Sequence, residues 1–227
     1  MNIKEFFTLL LVNYKVKWRN LKDYSKVVLK YYSNPAFRNA DIHLLSSYIG
    51  NNPFIISRRF LKKKGEPDIY TYGETPLTTL ALIANKCRIK ASDKVFELGC
   101  GRGRTCFWLH QFIGCSVVGV DFVPKFIERA NHIKDKHHIQ GVEFRLEDML
   151  KTDLSGATVI YIYGICYTDE FIEKLISRFE RLPRGTKVIT VSYALNEYKP
   201  DTHFEVLSCF PASFTWGVAN VYLQVKG

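Results

Sequence analysis

The ten residues Val95–Arg104, VFELGCGRGR, set glycines at the alternate positions 99, 101 and 103 directly behind a short apolar run. Such a run reads as a buried strand, and a chain leaving it through glycines can turn sharply, let a ligand approach its backbone and begin a helix. The first turn of that helix carries unpaired N–H groups and the positive end of the macrodipole, so it suits a polar or anionic part of a ligand. Strand, glycine turn and helix in this order read as a nucleotide site. The spacing departs from the G-x-G-x-x-G of dinucleotide-binding folds, because Arg104 stands where the third glycine would fall.

The flanking sequence repeats the same alternation. Strand-like runs cover residues 94–98, 116–121, 142–148, 157–164, 186–195, 202–210 and 219–226, and helical periodicity covers about 75–87, 103–113, 124–139 and 169–182. Strands separated by helices of this length form a parallel sheet wrapped on both faces through right-handed crossovers. The last two runs are joined by PASFTWG, which leaves no room for a crossover helix and fits a hairpin. The pattern predicts a Rossmann-like α/β fold, with a seven-stranded, mostly parallel sheet whose last strand is antiparallel.

At 227 residues the chain suits one substantial domain with a modest appendage. We divide it into a basic helical extension, residues 1–68, and a nucleotide-binding domain, residues 69–227. The net charge of +10 is concentrated at the front, where residues 1–70 carry 13 Lys and Arg against 5 Asp and Glu. A basic region of this kind is either a solvated helix surface or a face for an acidic or membrane partner. Helical spacing runs over about 3–33, SNPAFRNAD breaks it at Pro35, a second stretch covers 40–49 up to Gly50, and FIISRRFLKKKGEP closes the region. The apolar FFTLLLV, Phe6 to Val12, is too short to span a bilayer and reads as a helix covering a patch of the main domain, with docking on a membrane surface as the alternative. Removing residues 1–60 is therefore expected to damage the choice of substrate and to leave the nucleotide site intact.

Six cysteines form no C-x-x-C pair, and several lie in apolar runs, which fits free thiols in a reducing cytoplasm. His132, His137 and His138 lie in a Lys-rich stretch without cysteines at ligand spacing, so no metal site is indicated. The oligomeric state is left open.

Glu97-x-Gly99-x-Gly101-x-Gly103 resembles the first motif of the class I S-adenosylmethionine-dependent methyltransferases, whose seven-stranded sheet also ends in an antiparallel strand. The resemblance implies S-adenosylmethionine as cofactor, with Glu97, Gly99 and Gly101 around its methionine end. Asp121 closes the run SVVGVD twenty-two residues past Gly99, where a carboxylate can accept hydrogen bonds from both ribose hydroxyls, and Phe122 beside it is placed to pack on the adenine. The family carries an acidic residue after the third strand against the adenine amino group. Asp148 takes that place, with Glu147 as substitute and Met149 offering its backbone and an apolar face.

TYGETPLTTL ahead of the glycine motif, together with IYIYG at the fourth strand, resembles the non-SET histone lysine methyltransferases of the disruptor-of-telomeric-silencing family. Carried over, Tyr72, Glu74 and Thr75 cap the cofactor pocket. The plan also resembles small seven-strand lysine methyltransferases of mitochondrial proteins. After the fourth strand the Asn/Asp-Pro-Pro-Tyr/Phe tetrad of adenine and glutamine N-methyltransferases is absent, and so are the asparagines of the histone enzymes. Instead Tyr161, Tyr163 and Tyr167, with Tyr193, are available as the aromatic wall of a lysine channel, where they would act in catalysis by holding and partly desolvating the amine. Cys166 has no paired histidine and is a poor nucleophile candidate. The function this implies is methylation of a protein lysine. RNA gripped by the basic extension, a small-molecule acceptor, and a membrane-attached enzyme or cofactor-binding scaffold are the alternatives.

Overall fold

In the computed structural model, which describes residues 8, 14, 18, 21–66, 68–164 and 167–227, the seven apolar runs pair into one sheet. Its strands are β1 (Lys94–Leu98), β2 (Ser116–Asp121), β3 (Val142–Leu146), β4 (Val159–Ile162), β5 (Lys187–Val191), β6 (Phe204–Ser213) and β7 (Val218–Lys226). They lie in the order β3-β2-β1-β4-β5-β7-β6. The first five pair in parallel, and β7 runs antiparallel to both β5 and β6, as the short PASFTWG connection requires. β4 is shorter than the run 157–164, so Tyr163 and Gly164 fall beyond its C-terminal end. The order reverses between β1 and β4, and ligands of open α/β sheets bind in the crevice beyond the strand ends at such a reversal.

Side-chain alternation divides the apolar residues between two faces. Val95, Val117, Val159, Tyr161, Ile189 and Val191 belong to a core shared with α4 (Leu77–Lys86), α5 (Arg104–Ile113) and α6 (Pro124–Lys136). Phe96, Leu98, Val118, Val120, Ile160, Ile162 and Val188 pack instead with α7 (Asp169–Phe179), whose Ile172, Leu175, Ile176 and Phe179 are buried. A short helix, α8 (Leu195–Tyr198), follows β5.

Three further helices precede the sheet: α1 (21–31), α2 (Pro35–Ser46) and α3 (Pro53–Lys64). Pro35, read from the sequence as a break, begins α2 rather than interrupting it. At the first helical position its missing N–H costs nothing, and the Asn34 side chain accepts from the Phe37 N–H at 3.1 Å to cap the turn. The second helix therefore starts at residue 35 and not near 40. Asn52 caps α3 in the same way, with Pro53 at its start.

α1 and α2 share the core of the first sheet face. Val27, Tyr31, Phe37 and Leu44 are buried in it, with the Tyr31 ring 5.5 Å from that of Trp108 and the Phe37 ring 5.2 Å from that of Phe112. Asp41, whose side chain is fully covered, accepts two hydrogen bonds from Arg104 at 2.7 and 2.8 Å and one from the Tyr32 hydroxyl at 2.9 Å. Arg104 opens α5 directly behind the glycines, so the front of the chain is anchored to the nucleotide motif itself. Arg58, Arg59, Lys62 and Lys63 on α3 face solvent. The apolar stretch Phe6–Val12 lies, Thr8 apart, outside the described residues.

Leaving one member of a buried ion pair without its partner costs about 3 kcal/mol or more. Asp41→Ala is accordingly expected to lower the midpoint of thermal unfolding by about 6–12 °C in a chain of this size. A shift under about 2 °C in a melting experiment would show that the pair does not hold α2 to α5.

Candidate functional site

Three neighbouring cavities open along the C-terminal edge of the sheet, and Gly73 and Tyr163 border all of them. The first, of about 270 Å³, runs between the glycine turn and the ends of β2 and β3 and is bordered by Gly99, Gly101, Asp121, Phe122, Asp148 and Met149. The second, of about 680 Å³, lies on the other side of Gly73 between α1, α3 and the β6–β7 hairpin. The third is a recess of about 20 Å³ that reaches between Glu74 and Thr75 to Glu97 and Thr105.

The glycine motif shapes the first cavity through backbone conformation. Gly99 and Gly101 have φ values of +80° and +55°, a region that costs a side chain strain and glycine little. A Cβ at Gly101 would stand 3.2 Å from the Tyr72 ring, and one at Gly99 would reach 3.3 Å from the Tyr167 hydroxyl and 3.6 Å from the Met149 methyl. Space that a side chain would fill is thereby kept for a ligand. The Gly101 N–H donates to Asp121 Oδ2 at 2.8 Å and the Val123 N–H to Oδ1 at 2.9 Å, so the two loops that flank the cavity are pinned to one carboxylate. Burial pushes the Asp121 pKa up to about 6 although these N–H groups favour the charged form.

Glu97, on β1, is 5% exposed. Its oxygens accept from the Thr105 hydroxyl at 2.6 and 2.7 Å and from the Cys106 thiol at 3.1 Å. Burial pushes its pKa up to about 7, the hydroxyl and thiol pull it down, and Glu74 and Asp121 raise it again. A buried acid without a resident cation is suited to receive one. Glu74 differs, because Arg102 grips it with two hydrogen bonds of 2.5 Å and the Tyr72 hydroxyl donates to it as well. Burial alone would raise the Glu74 pKa, but Arg102 and Tyr72 together hold it below the usual carboxylate range.

The residues expected at the cofactor fall into place unevenly. Gly99, Gly101, Tyr72, Asp121, Phe122, Asp148 and Met149 border the first cavity; Glu74, Thr75 and Glu97 border the narrow recess. Asp148 rather than Glu147 faces the cavity, since the Thr152 hydroxyl holds the Glu147 carboxylate. Among the tyrosines, Tyr163 and Tyr167 border the first cavity. Tyr161 does not: it is 1% exposed, points into the core and meets the Thr75 hydroxyl at 2.5 Å. Within β4 it lies under α4, so it positions Thr75 instead of walling a channel. Tyr193 is likewise buried, in the core on the opposite face of the sheet. Cys166 lies outside the described residues.

Several bordering residues carry no motif in the sequence. Ser57, Leu61 and Lys64 of α3 border the first cavity, Phe60 packs on Phe122 with ring centres 5.5 Å apart, and Lys64 Nζ lies 4.2 Å from the Phe122 ring centre. Removal of residues 1–60 thus strips Ser57 and Phe60 from the cofactor side, contrary to the expectation that this site would stay intact. The one available signal was the helical spacing of Phe54, Ser57 and Leu61, uncharged positions along FIISRRFL. At the second cavity Trp216 of the hairpin donates from Nε1 to the Tyr163 hydroxyl at 2.5 Å, and Tyr163 stacks on Phe214 with centres 5.3 Å apart.

The lining fits S-adenosylmethionine: Asp121 and Asp148 offer acceptors for hydroxyl and amino groups, Glu97 offers one for an ammonium, and the glycine turn leaves the backbone open to a ligand. Asp121→Ala should weaken binding of S-adenosylmethionine and of S-adenosylhomocysteine alike, by about 10-fold or more, and unchanged affinity in calorimetry would remove Asp121 from the site. Glu97 loses its proton near pH 7 in the free protein, and an ammonium prefers the ionised form. Cofactor affinity is therefore expected to rise as pH increases from 6 to 8, with proton release on binding below pH 7. Glu97→Gln should flatten that dependence.

Residues 97–202 match the ANTKMT methyltransferase domain family. A Dictyostelium discoideum protein described as histone-lysine N-methyltransferase, H3 lysine-79 specific, is 25% identical over 144 residues, covering 57% of this chain and 8% of that protein. Human EEF1A lysine methyltransferase 2 is 25% identical over 134 residues, 56% of this chain and 57% of its own length. The chain thus spans less than two thirds of either relative. Among solved structures, an RNA methyltransferase from Salinibacter ruber bound to S-adenosyl-L-homocysteine superposes with a TM-score of 0.56 at 22% identity, over 67% of this chain and 93% of that one, a likeness of fold. With the strand order 3-2-1-4-5-7-6 and the glycine turn against Asp121, these matches give the chain the fold of the class I, seven-strand S-adenosylmethionine-dependent methyltransferases.

Proposed function

We propose that the protein transfers the methyl group of S-adenosylmethionine to the side-chain amine of a protein lysine. The observation that carries this reading is the second cavity, where Tyr24, Phe54, Tyr70 and Trp216 surround a passage that meets the cofactor cavity at Gly73 and Tyr163. Asp23 and Glu74 are its carboxylates. Aromatic faces attract a cation on approach, and desolvation of the amine at the inner end, beside Gly73 and Tyr163, would favour the neutral form that carries the lone pair. The two curated relatives described as lysine methyltransferases support the same acceptor class.

When bound, the cofactor supplies an already activated methyl on a sulfonium, so alignment of the acceptor is the main task left to the protein. Tyr163 stands where the two cavities meet, is braced by Trp216 and Phe214, and is tucked against the backbone so closely that a Cβ on Gly73 would come within 2.9 Å of its ring. Tyr167 and Met149 close the cofactor side. We assign the acceptor-positioning role to Tyr163 and Tyr167. A cytoplasmic setting belongs to the same proposal and is supported by free, mostly buried cysteines; among the described residues no helix is long and apolar enough to cross a membrane.

Incubation of lysate with tritiated cofactor should place the label in protein, with a gain of one or more methyl groups on a lysine by mass spectrometry. Label confined to RNA or to small molecules would reject the lysine reading and select the corresponding alternative. Trp216 touches the acceptor cavity and not the cofactor cavity, so Trp216→Ala should lower kcat/KM for the labelled protein by about 3- to 30-fold, the range of a cation–π contact, with cofactor affinity unchanged.

A further inference from the structure

The guanidinium of Arg102 and the carboxylate of Glu74 form a two-pronged ion pair, Nε to Oε1 and Nη2 to Oε2, both at 2.5 Å. Arg102 stands between Gly101 and Gly103 in the glycine turn, and Glu74 belongs to the segment that crosses in front of it. The arginine side chain is 11% exposed and the glutamate 30%. The other side of the guanidinium lies 5.0 Å from the centre of the Tyr48 ring, which holds its plane. Both residues border the acceptor cavity, and Glu74 also borders the recess that ends at Glu97.

That recess, of about 20 Å³, has room for about one water molecule. The amino-acid end of S-adenosylmethionine is larger and is a zwitterion, with an ammonium and a carboxylate on one carbon. A zwitterion is the complement of an ion pair: inserted between Arg102 and Glu74, its carboxylate meets the arginine and its ammonium enters the recess that Glu74 and Glu97 both border, so one charge-assisted pair is exchanged for two. The planar fork of arginine matches a carboxylate with two parallel N–H groups, which a lysine ammonium does not. We propose that Arg102 is the carboxylate-binding residue of the cofactor site, and that the Arg102–Glu74 pair parts to admit the amino-acid end of the cofactor. The pair thus serves as a resident stand-in that keeps both charges partnered until the cofactor arrives. This assignment rests on the cofactor reading and extends it, since the glycine-turn amides alone were expected at that carboxylate.

The test compares two ligands on the full-length chain by calorimetry. S-Adenosylhomocysteine carries the amino acid, whereas 5′-methylthioadenosine keeps the adenosine and sulfur and lacks both the ammonium and the carboxylate. Arg102→Gln should weaken S-adenosylhomocysteine by about 10- to 100-fold and leave methylthioadenosine within about twofold, with Arg102→Lys recovering part of the loss. Asp121→Asn, acting at the ribose, should weaken both ligands. Equal weakening of the two ligands by Arg102→Gln would mean that Arg102 only supports the fold, and unchanged or tighter S-adenosylhomocysteine binding would mean that it merely blocks Glu74; either overturns the assignment. Binding of neither ligand to the wild type overturns the cofactor reading itself.

Discussion

Two arginines two residues apart, one in the glycine turn and one opening α5, each forked onto a carboxylate from elsewhere in the chain, hold the site together. Arg104 takes Asp41 from α2, and Arg102 takes Glu74 from the segment ahead of α4. The first pair fastens the N-terminal helices to α5, and the second sets the crossing segment at the rim of the acceptor cavity. Both are largely shielded, so their strength comes from geometry and low exposure rather than from bare charge. A chain with net charge +10 would otherwise gain little from two more cations in its centre. Placed against the buried Asp41 and the half-buried Glu74, those cations tie α2 and the segment ahead of α4 to the glycine turn.

The acids of the site form a graded series. Glu74 has a resident cation and stays ionised, Asp121 is steadied by backbone N–H groups and is raised to about 6, and Glu97 has only a hydroxyl and a thiol and is raised to about 7. Desolvation acts on all three, and the partner decides how much of it is offset. The least offset group stands deepest, at the end of the recess, where a bound ammonium would recover the most energy. An electrostatic deficit in the free protein is thus directed at one part of the ligand.

Much of this was legible before any coordinates. The strand, glycine turn and helix of 94–113, the carboxylate at 121 and the closing hairpin follow from local pattern, because φ > 0 at a tight turn, period-two burial and the length of a connection are decided within a few residues. Pro35 shows where local reading slips: the same residue ends one helix and begins the next, and the Asn34 cap settles which. α3 shows a second failure. Its exposed Arg58, Arg59, Lys62 and Lys63 dominate the sequence, yet Ser57 and Leu61 on the opposite face close the cofactor cavity.

What the sequence by itself determined is the order of elements and the glycine turn with a carboxylate at the end of the next strand, since each depends on neighbours along the chain. What the tertiary structure alone decided is which tyrosines reach the site. Tyr161 and Tyr163 have the same parity and so face the same side of the sheet, and no pattern separates them. The sheet ends at Ile162, and α4 with Thr75 covers only the residue inside it, so Tyr161 is packed away and Tyr163 stands in the opening. The partners of Arg102 and Arg104, 28 and 63 residues away, are set in the same way by packing between distant segments, which carries no signature in the chain.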